Sequence, residues 1–143
     1  MADGGRSSAI ERADASERAT RQSEVRVAFR FESLDIFHAA VDFSARVYGL
    51  AKDFPSEERF DLTSQARRAA NSTVLNIAEG SGRGTKKDFS RFLDMAMGSI
   101  FETIACFFIA RRQFYISQDA LQLIKTEGES LAKRINAFTS TLR

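Results

Sequence analysis

The sequence predicts an all-α protein, an antiparallel up-down-up-down four-helix bundle with a mobile N-terminal arm. Three observations predict it. One proline and eight glycines in 143 residues leave long uninterrupted segments, a pattern that suits helices better than a many-turned β fold. Apolar residues recur at three- and four-residue steps in four successive segments, which is the period of an amphipathic helix. The stretches between those segments are short, and short connections make neighbouring helices run in opposite directions. A chain of this length makes one domain, with a core large enough to need no disulfide or metal.

Residues 1 to 30 form the expected flexible arm and residues 31 to 143 the bundle. The first 24 residues are rich in Ala, Ser, Arg and Glu, with no sustained apolar period. Beyond them Val25, Val27, Phe29 and Phe31 alternate with Arg26, Ala28, Arg30 and Glu32. That is strand period without a partner strand. An extended segment that docks its apolar side on the domain or on a neighbouring subunit is expected.

Helix one starts behind Ser33 as N-cap and runs to about Phe54, because Pro55 disfavours helical geometry in the residue before it. Its seams are Ile36, Ala40, Phe43, Val47, Leu50 and Phe54, and beside them Phe37, Val41, Ser44, Tyr48 and Ala51. So wide an apolar face suits a bundle interior. Helix two spans Leu62 to Gly80 and turns Leu62, Ala66, Ala69, Ala70, Thr73, Val74 and Ile77 inward. Most of these are small and permit close approach of another helix. Helix three starts after Gly84, with Thr85 as cap and Asp88 three residues later, resembling a capping box. Its run Ile104 to Ala110 is apolar all round, more than one monomer's core covers, which predicts contact with another subunit. Ser117 caps helix four, where Leu121, Ile124, Gly128, Leu131, Ile135, Phe138 and Leu142 keep a heptad.

Net charge is +2, so gross electrostatics do not announce a nucleic-acid binder. Distribution says more. Residues 56 to 92 hold seven bases against five acids, residues 111 to 143 six against three, and residues 93 to 110 two acids and no base. The single Cys106 can form no internal disulfide, and with the lone His38 it builds no metal site. A reducing compartment, the bacterial cytoplasm, is the economical expectation, with no metal and no cofactor. The N-terminus lacks the apolar core of a secretion signal, and no segment reads as a membrane span. His38 reads as a packing residue and Cys106 as an inert small hydrophobe.

Two features carry candidate function. On helix two Gln65, Arg68, Ser72, Asn76 and Glu79 fall within about 80° of one another on a helical wheel. Such a stripe is a solvated face, a set of hydrogen bonds between helices, or a surface offered to a partner. Arg68 and Glu79 lie about 16 Å apart along the axis and are no direct pair; a buried Arg68 would need a carboxylate such as Glu102. The second feature is the turn Gly80-Ser81-Gly82-Arg83-Gly84-Thr85-Lys86-Lys87. It fails the P-loop pattern, because Thr85 rather than glycine precedes Lys86 and a helix rather than a strand leads in. Free backbone N–H groups at the start of helix three, with Arg83, Lys86, Lys87 and Arg91 nearby, would still favour a phosphate oxygen. No complete catalytic constellation is present; an enzyme would have to act at Glu79 or Glu102.

Phe31-x-x-Leu34, Val47-Tyr48, Phe54-Pro55, Leu62-Thr63-Ser64-Gln65 with Arg67-Arg68-Ala69-Ala70, Asn76-Ile77-Ala78-Glu79-Gly80, Lys87-Asp88-Phe89, and Phe92-Leu93 with Ala96, Ser99 and Glu102 follow in order. This series resembles the bacterial four-helix-bundle proteins encoded within intervening sequences of 23S ribosomal RNA genes, over about Phe31 to Leu142. That family is similar to the accessory variability protein of diversity-generating retroelements, a pentameric barrel that works with a reverse transcriptase and RNA. The resemblance implies a homo-oligomer, a pentamer, with RNA or DNA as ligand and no enzymatic activity. The near-neutral charge departs from a strongly basic binder. The expectation is therefore a non-enzymatic module that binds nucleic acid through phosphate contacts from Arg67, Arg68, Arg83, Lys86, Lys87 and Arg91. The alternative is a protein-interaction scaffold whose polar stripe docks a protein partner.

Overall fold

The computed structural model describes residues 29–143. The expectations for the arm over residues 1–28, Val25 and Val27 included, lie outside the described residues. A 3-10 turn, Arg30–Ser33, leads into α1 (Asp35–Ala51), and a second 3-10 turn, Ser56–Glu58, leads into α2 (Leu62–Ser81). Then follow α3 (Lys86–Arg112) and α4 (Gln118–Ser140). Each helix packs on its sequence neighbours, and α1 closes the ring against α4.

Residue pairs fix the directions. Ser72 and Ser99 meet in the middle of α2 and α3, while Gly80 meets Phe92 near the hairpin. On α3 and α4, Phe89 stacks with Phe138 and Ile104 lies against Gly128. As one helix advances its neighbour recedes, so the pairs are antiparallel.

The core is built largely from the expected faces, although Val41 and Tyr48 of the second α1 seam are exposed. Phe43, Val47, Ile77, Leu93, Ile100, Phe107, Ile124 and Ile135 are fully buried. Thr73 and Thr103 are buried too, and their hydroxyls donate to the carbonyls of Ala69 and Ser99 one turn earlier, so neither is left unpaired in the core. Val74, expected inside, is only half-buried. Two glycines sit where neighbouring side chains approach closely, and Gly80 meets the less movable one. A Cβ on Gly80 would lie 2.7 Å from Phe92 Cβ, and one on Gly128 would lie 2.9 Å from Ile104 Cδ1. The apparent break in the α4 heptad is thus the seat of an isoleucine.

Several boundaries differ from expectation. Ser33 does not cap α1; its hydroxyl donates to the Arg30 carbonyl at 2.9 Å within the 3-10 turn, and α1 begins behind Leu34 with no side-chain cap. That turn also replaces the extended geometry expected through Phe31. It forms because Phe31 folds back onto Phe37, with ring centroids 4.5 Å apart. His38 is exposed rather than packed inside, and its Nε2 lies 2.7 Å from the Glu32 carbonyl oxygen, clipping the same turn. At its other end α1 stops at Ala51, before Phe54. Thr85 and Ser117 cap as expected, accepting from the N–H of Asp88 and of Ala120, each at 3.1 Å.

By length and composition α3 is apolar enough to cross a membrane, with an 18-residue window of mean hydropathy 1.6, contrary to the expectation that no segment is. The excess over an ordinary bundle helix lies in its outward half: Phe101, Phe108 and Ile109 are 68%, 49% and 51% exposed.

Candidate nucleic-acid interface

The helical rise separates the six candidate bases into two groups. Arg67 and Arg68 stand near the start of α2, about 22 Å along the axis from the turn that carries Arg83. Arg67 and Arg68 also diverge, as adjacent helical residues do. Arg67 turns toward α1, where its guanidinium carbon lies 5.0 Å from the Tyr48 ring centroid and its Nε is buried without a hydrogen-bond partner among the described residues. Arg68 is exposed and shares a shallow hollow with Gln65, Ile109 and Gln113. Being exposed, it needs no carboxylate, and no ion pair joins it to Glu102 among the described residues.

The remaining four bases cluster at the hairpin of α2 and α3. Arg83 Nη2 reaches Glu79 Oε1 at 3.0 Å, and Arg83 Nε lies 3.7 Å from Asp88 Oδ2. Arg91 Nη2 reaches Asp88 Oδ1 at 3.0 Å. Both guanidinium carbons also lie over the Phe92 ring, at 4.6 and 4.8 Å from its centroid. The arginines are held by partners that cancel much of their charge. Exposed pairs of this kind are worth only about 0–1 kcal/mol, so a phosphate can exchange for the carboxylates at little cost. Lys86 and Lys87 are exposed and take part in no ion pair among the described residues.

Beside them opens a hollow of about 710 Å³ between the start of α3 and the end of the chain, lined by Lys87, Arg91 and Arg143 together with Asp88, Asp94 and Ser90. Thr85 takes up the N–H of Asp88, while the first N–H groups of α3 have no partner within the helix, as at any helix start. The helix dipole there favours an anion. Arg143 escaped the sequence reading. It lies far along the chain from the turn, and only the return of α4 brings it there.

The polar stripe divides. Its middle is structural: Ser99 Oγ donates to Ser72 Oγ at 2.9 Å, and Asn76 Nδ2 donates to the Ser72 carbonyl at 2.9 Å and to Ser72 Oγ at 3.1 Å. Glu79 is consumed by Arg83, whereas Gln65 and Arg68 remain open. One residue round the helix from Ser72, Ser44 Oγ donates to Asn71 Oδ1 at 2.8 Å and Asn71 Nδ2 to Tyr48 Oη at 2.9 Å. These bonds tie α2 to α1. Asn71 was missed because it sits between the apolar face and the stripe.

Two groups are shifted. Burial, with a smaller effect from the Glu102 carboxylate, pushes the Cys106 thiol above its ordinary value. The Tyr115 phenol is raised first by its 2.9 Å hydrogen bond to Glu58 Oε1. Neither group lies at the basic hairpin.

Among curated proteins, none matches the chain. A crystal structure of a protein of unknown function from the S23 ribosomal protein family of Bacteroides thetaiotaomicron is similar in fold, with a TM-score of 0.67 and 22% sequence identity. The likeness covers 73% of this chain and 97% of that one. The family model of the 23S rRNA-intervening sequence proteins matches residues 32–137, which takes in all of α1, α2 and α3, the basic hairpin, and α4 to within its last turn. With that span matched and the four-helix architecture in place, the chain belongs to the 23S rRNA-intervening sequence protein family.

Proposed function

We propose that the protein is a non-enzymatic homo-oligomeric module that binds the phosphate backbone of RNA or DNA at the hairpin end of α2 and α3. The observation that carries this reading is the start of α3, where Lys86 and Lys87 take part in no ion pair among the described residues and Lys87 lines a hollow with Arg91 and Arg143. Arg83 and Arg91 join by exchanging their carboxylate partners for phosphate. Arg67 and Arg68 stand outside this contact. The family resemblance implies five copies, and several hairpins on one assembly would turn a weak patch into useful avidity. The buried thiol of Cys106 suits a reducing compartment such as the bacterial cytoplasm.

Binding of labelled single-stranded RNA and DNA, titrated against salt, tests the proposal. Phosphate contacts require log K to fall with log salt, by about 0.7 per phosphate neutralised on a single strand. No measurable binding at low salt overturns it. The scaffold alternative rests on Gln65 and Arg68, the open part of the stripe; capture of a protein partner that is lost with Arg68→Ala and retained without the hairpin bases would favour it.

A further inference from the structure

The end of the bundle opposite the basic hairpin carries two phenylalanines that the core does not use. Phe60, in the connection between α1 and α2, and Phe114, between α3 and α4, are 82% and 77% exposed. The Tyr115 hydroxyl donates to Glu58 Oε1 at 2.9 Å and ties the two connections together. Each ring has a guanidinium on it: the Arg59 carbon lies 5.1 Å from the Phe60 centroid and the Arg111 carbon 5.5 Å from that of Phe114. Phe114 also holds φ of 62°, a left-handed conformation that glycine adopts freely and phenylalanine only at a cost. A bulky residue kept in a strained turn with its ring outside the fold serves no packing. Strain of this kind gathers at functional sites.

Between the two connections opens a hollow of about 510 Å³, whose lining includes Phe60, Asp61, Gln65, Arg68, Ile109 and Gln113. Phe114 stands in the chain between Gln113 and Tyr115, both on its wall. The charge of Arg68 is offset there by the carboxylates of Glu58 and Asp61, so the hollow suits a neutral group better than a phosphate. Gln65 and Gln113 are exposed, and a side-chain amide both donates and accepts. The Asp61 carboxylate makes no cap bond to α2 and accepts. Flat apolar walls beside amides and a carboxylate match a nucleobase, which has a π-face to stack and an edge of hydrogen-bonding groups. We propose that Phe60, Phe114 and this hollow hold unpaired nucleobases of a single strand, stacked on the rings and met at their edges by Gln65, Gln113 and Asp61. Separate rings among charged and polar groups do not suit a protein partner, whose contact needs an apolar centre depleted of charge. Bases inside a duplex offer no free face, so the site selects single strands.

This site rests on nucleic acid as the ligand in the proposed function, and not on the hairpin lysines as its phosphate contacts. The length of α2 sets the two ends about 30 Å apart, a distance that a strand of about 20 nucleotides spans even at ~3.4 Å per nucleotide. The test compares three labelled probes of that length on the full chain: a single strand, an abasic sugar-phosphate strand and a duplex. The base-bearing single strand is expected to bind tightest. Phe60→Ala and Phe114→Gly should each lower its affinity at least about fivefold, while abasic affinity and the salt slope stay unchanged. Thermal melts report that the variants remain folded. Phe101→Ala, which removes an exposed ring from the outer face of α3, should have no effect, and an equal loss there overturns the site. Equal binding of base-bearing and abasic strands, or indifference to both substitutions, overturns the stacking site and leaves the hairpin contacts standing. A loss on both substitutions with Lys86→Ala and Lys87→Ala silent supports the stacking site and overturns the hairpin contacts. No binding of any probe at low salt overturns both. Capture of a protein partner that vanishes with the two substitutions, while all probes bind alike, overturns the site in favour of a protein contact.

Discussion

Ser99 Oγ donates a 2.9 Å hydrogen bond to Ser72 Oγ across the packed faces of α2 and α3. Ser72 is thereby turned toward a neighbouring helix rather than toward a ligand, and Asn76 anchors to it from the next turn. Ser72→Ala should cost about 1 kcal/mol of stability in urea unfolding and leave nucleic-acid binding unchanged. A binding loss without a stability loss would return the stripe to the ligand surface.

The two ends of α2 should behave differently in binding. Lys86→Ala and Lys87→Ala should each weaken binding at all sequences and reduce the salt slope on a single strand by about 0.7. Arg143→Ala should act in the same direction, and Arg68→Ala should change neither affinity nor slope. An Arg68→Ala effect as large as that of Lys87→Ala would move the interface to the other end of the bundle.

Gly80→Ala should destabilise by about 1–3 kcal/mol, because its Cβ would enter the space held by Phe92 and Phe89. Gly49→Ala provides the control. It lies on an exposed stretch of α1 with nothing near its Cβ position, so it should stabilise by about 1 kcal/mol through helix propensity. Thermal melts of the two variants should shift in opposite directions.

Phe114 has φ of 62° and follows α3 where the Tyr115 N–H bonds back to the Ala110 carbonyl, as in a Schellman cap. Glycine suits that conformation and phenylalanine does not. With its ring 77% exposed, little packing opposes the strain. Phe114→Gly should therefore stabilise the fold by about 1 kcal/mol, measured in urea.

Cys106 should resist modification. Its thiol is buried and its pKa is raised above the ordinary 9.0, so the reactive thiolate is scarce at pH 8 in the folded state and becomes available on unfolding. Alkylation by iodoacetamide should follow unfolding in a denaturant series. For Tyr115 the neutral phenol is the form that holds Glu58. Its contribution is present below its ordinary value of 10.0 and is lost as pH rises through the higher folded value. Tyr115→Phe should remove that alkaline dependence, read as stability against pH.

Much of the bundle was legible because helical period and capping are local. The steps of Ile36, Ala40, Phe43 and Val47, the Thr85 and Ser117 caps, and the small inner residues of α2 each declare a face or an end through neighbours a few positions away. Ser33 misled for the same reason. Its hydroxyl is a good cap in isolation, but the packing of Phe31 on Phe37 curls the chain into a 3-10 turn and spends that hydroxyl on Arg30.

The sequence by itself therefore determined the four helices, their buried faces and the family. Tertiary structure decided the candidate site. It separated Arg67 and Arg68 from the hairpin bases, paired Arg83 with Glu79, turned Ser72 inward onto Ser99, and brought Arg143 beside Lys87. The physical reason is that periodicity reports which side of a helix avoids water. Which polar groups meet depends on how far each helix slides along its neighbour, and that register is set by contacts such as Gly80 on Phe92 and Gly128 on Ile104.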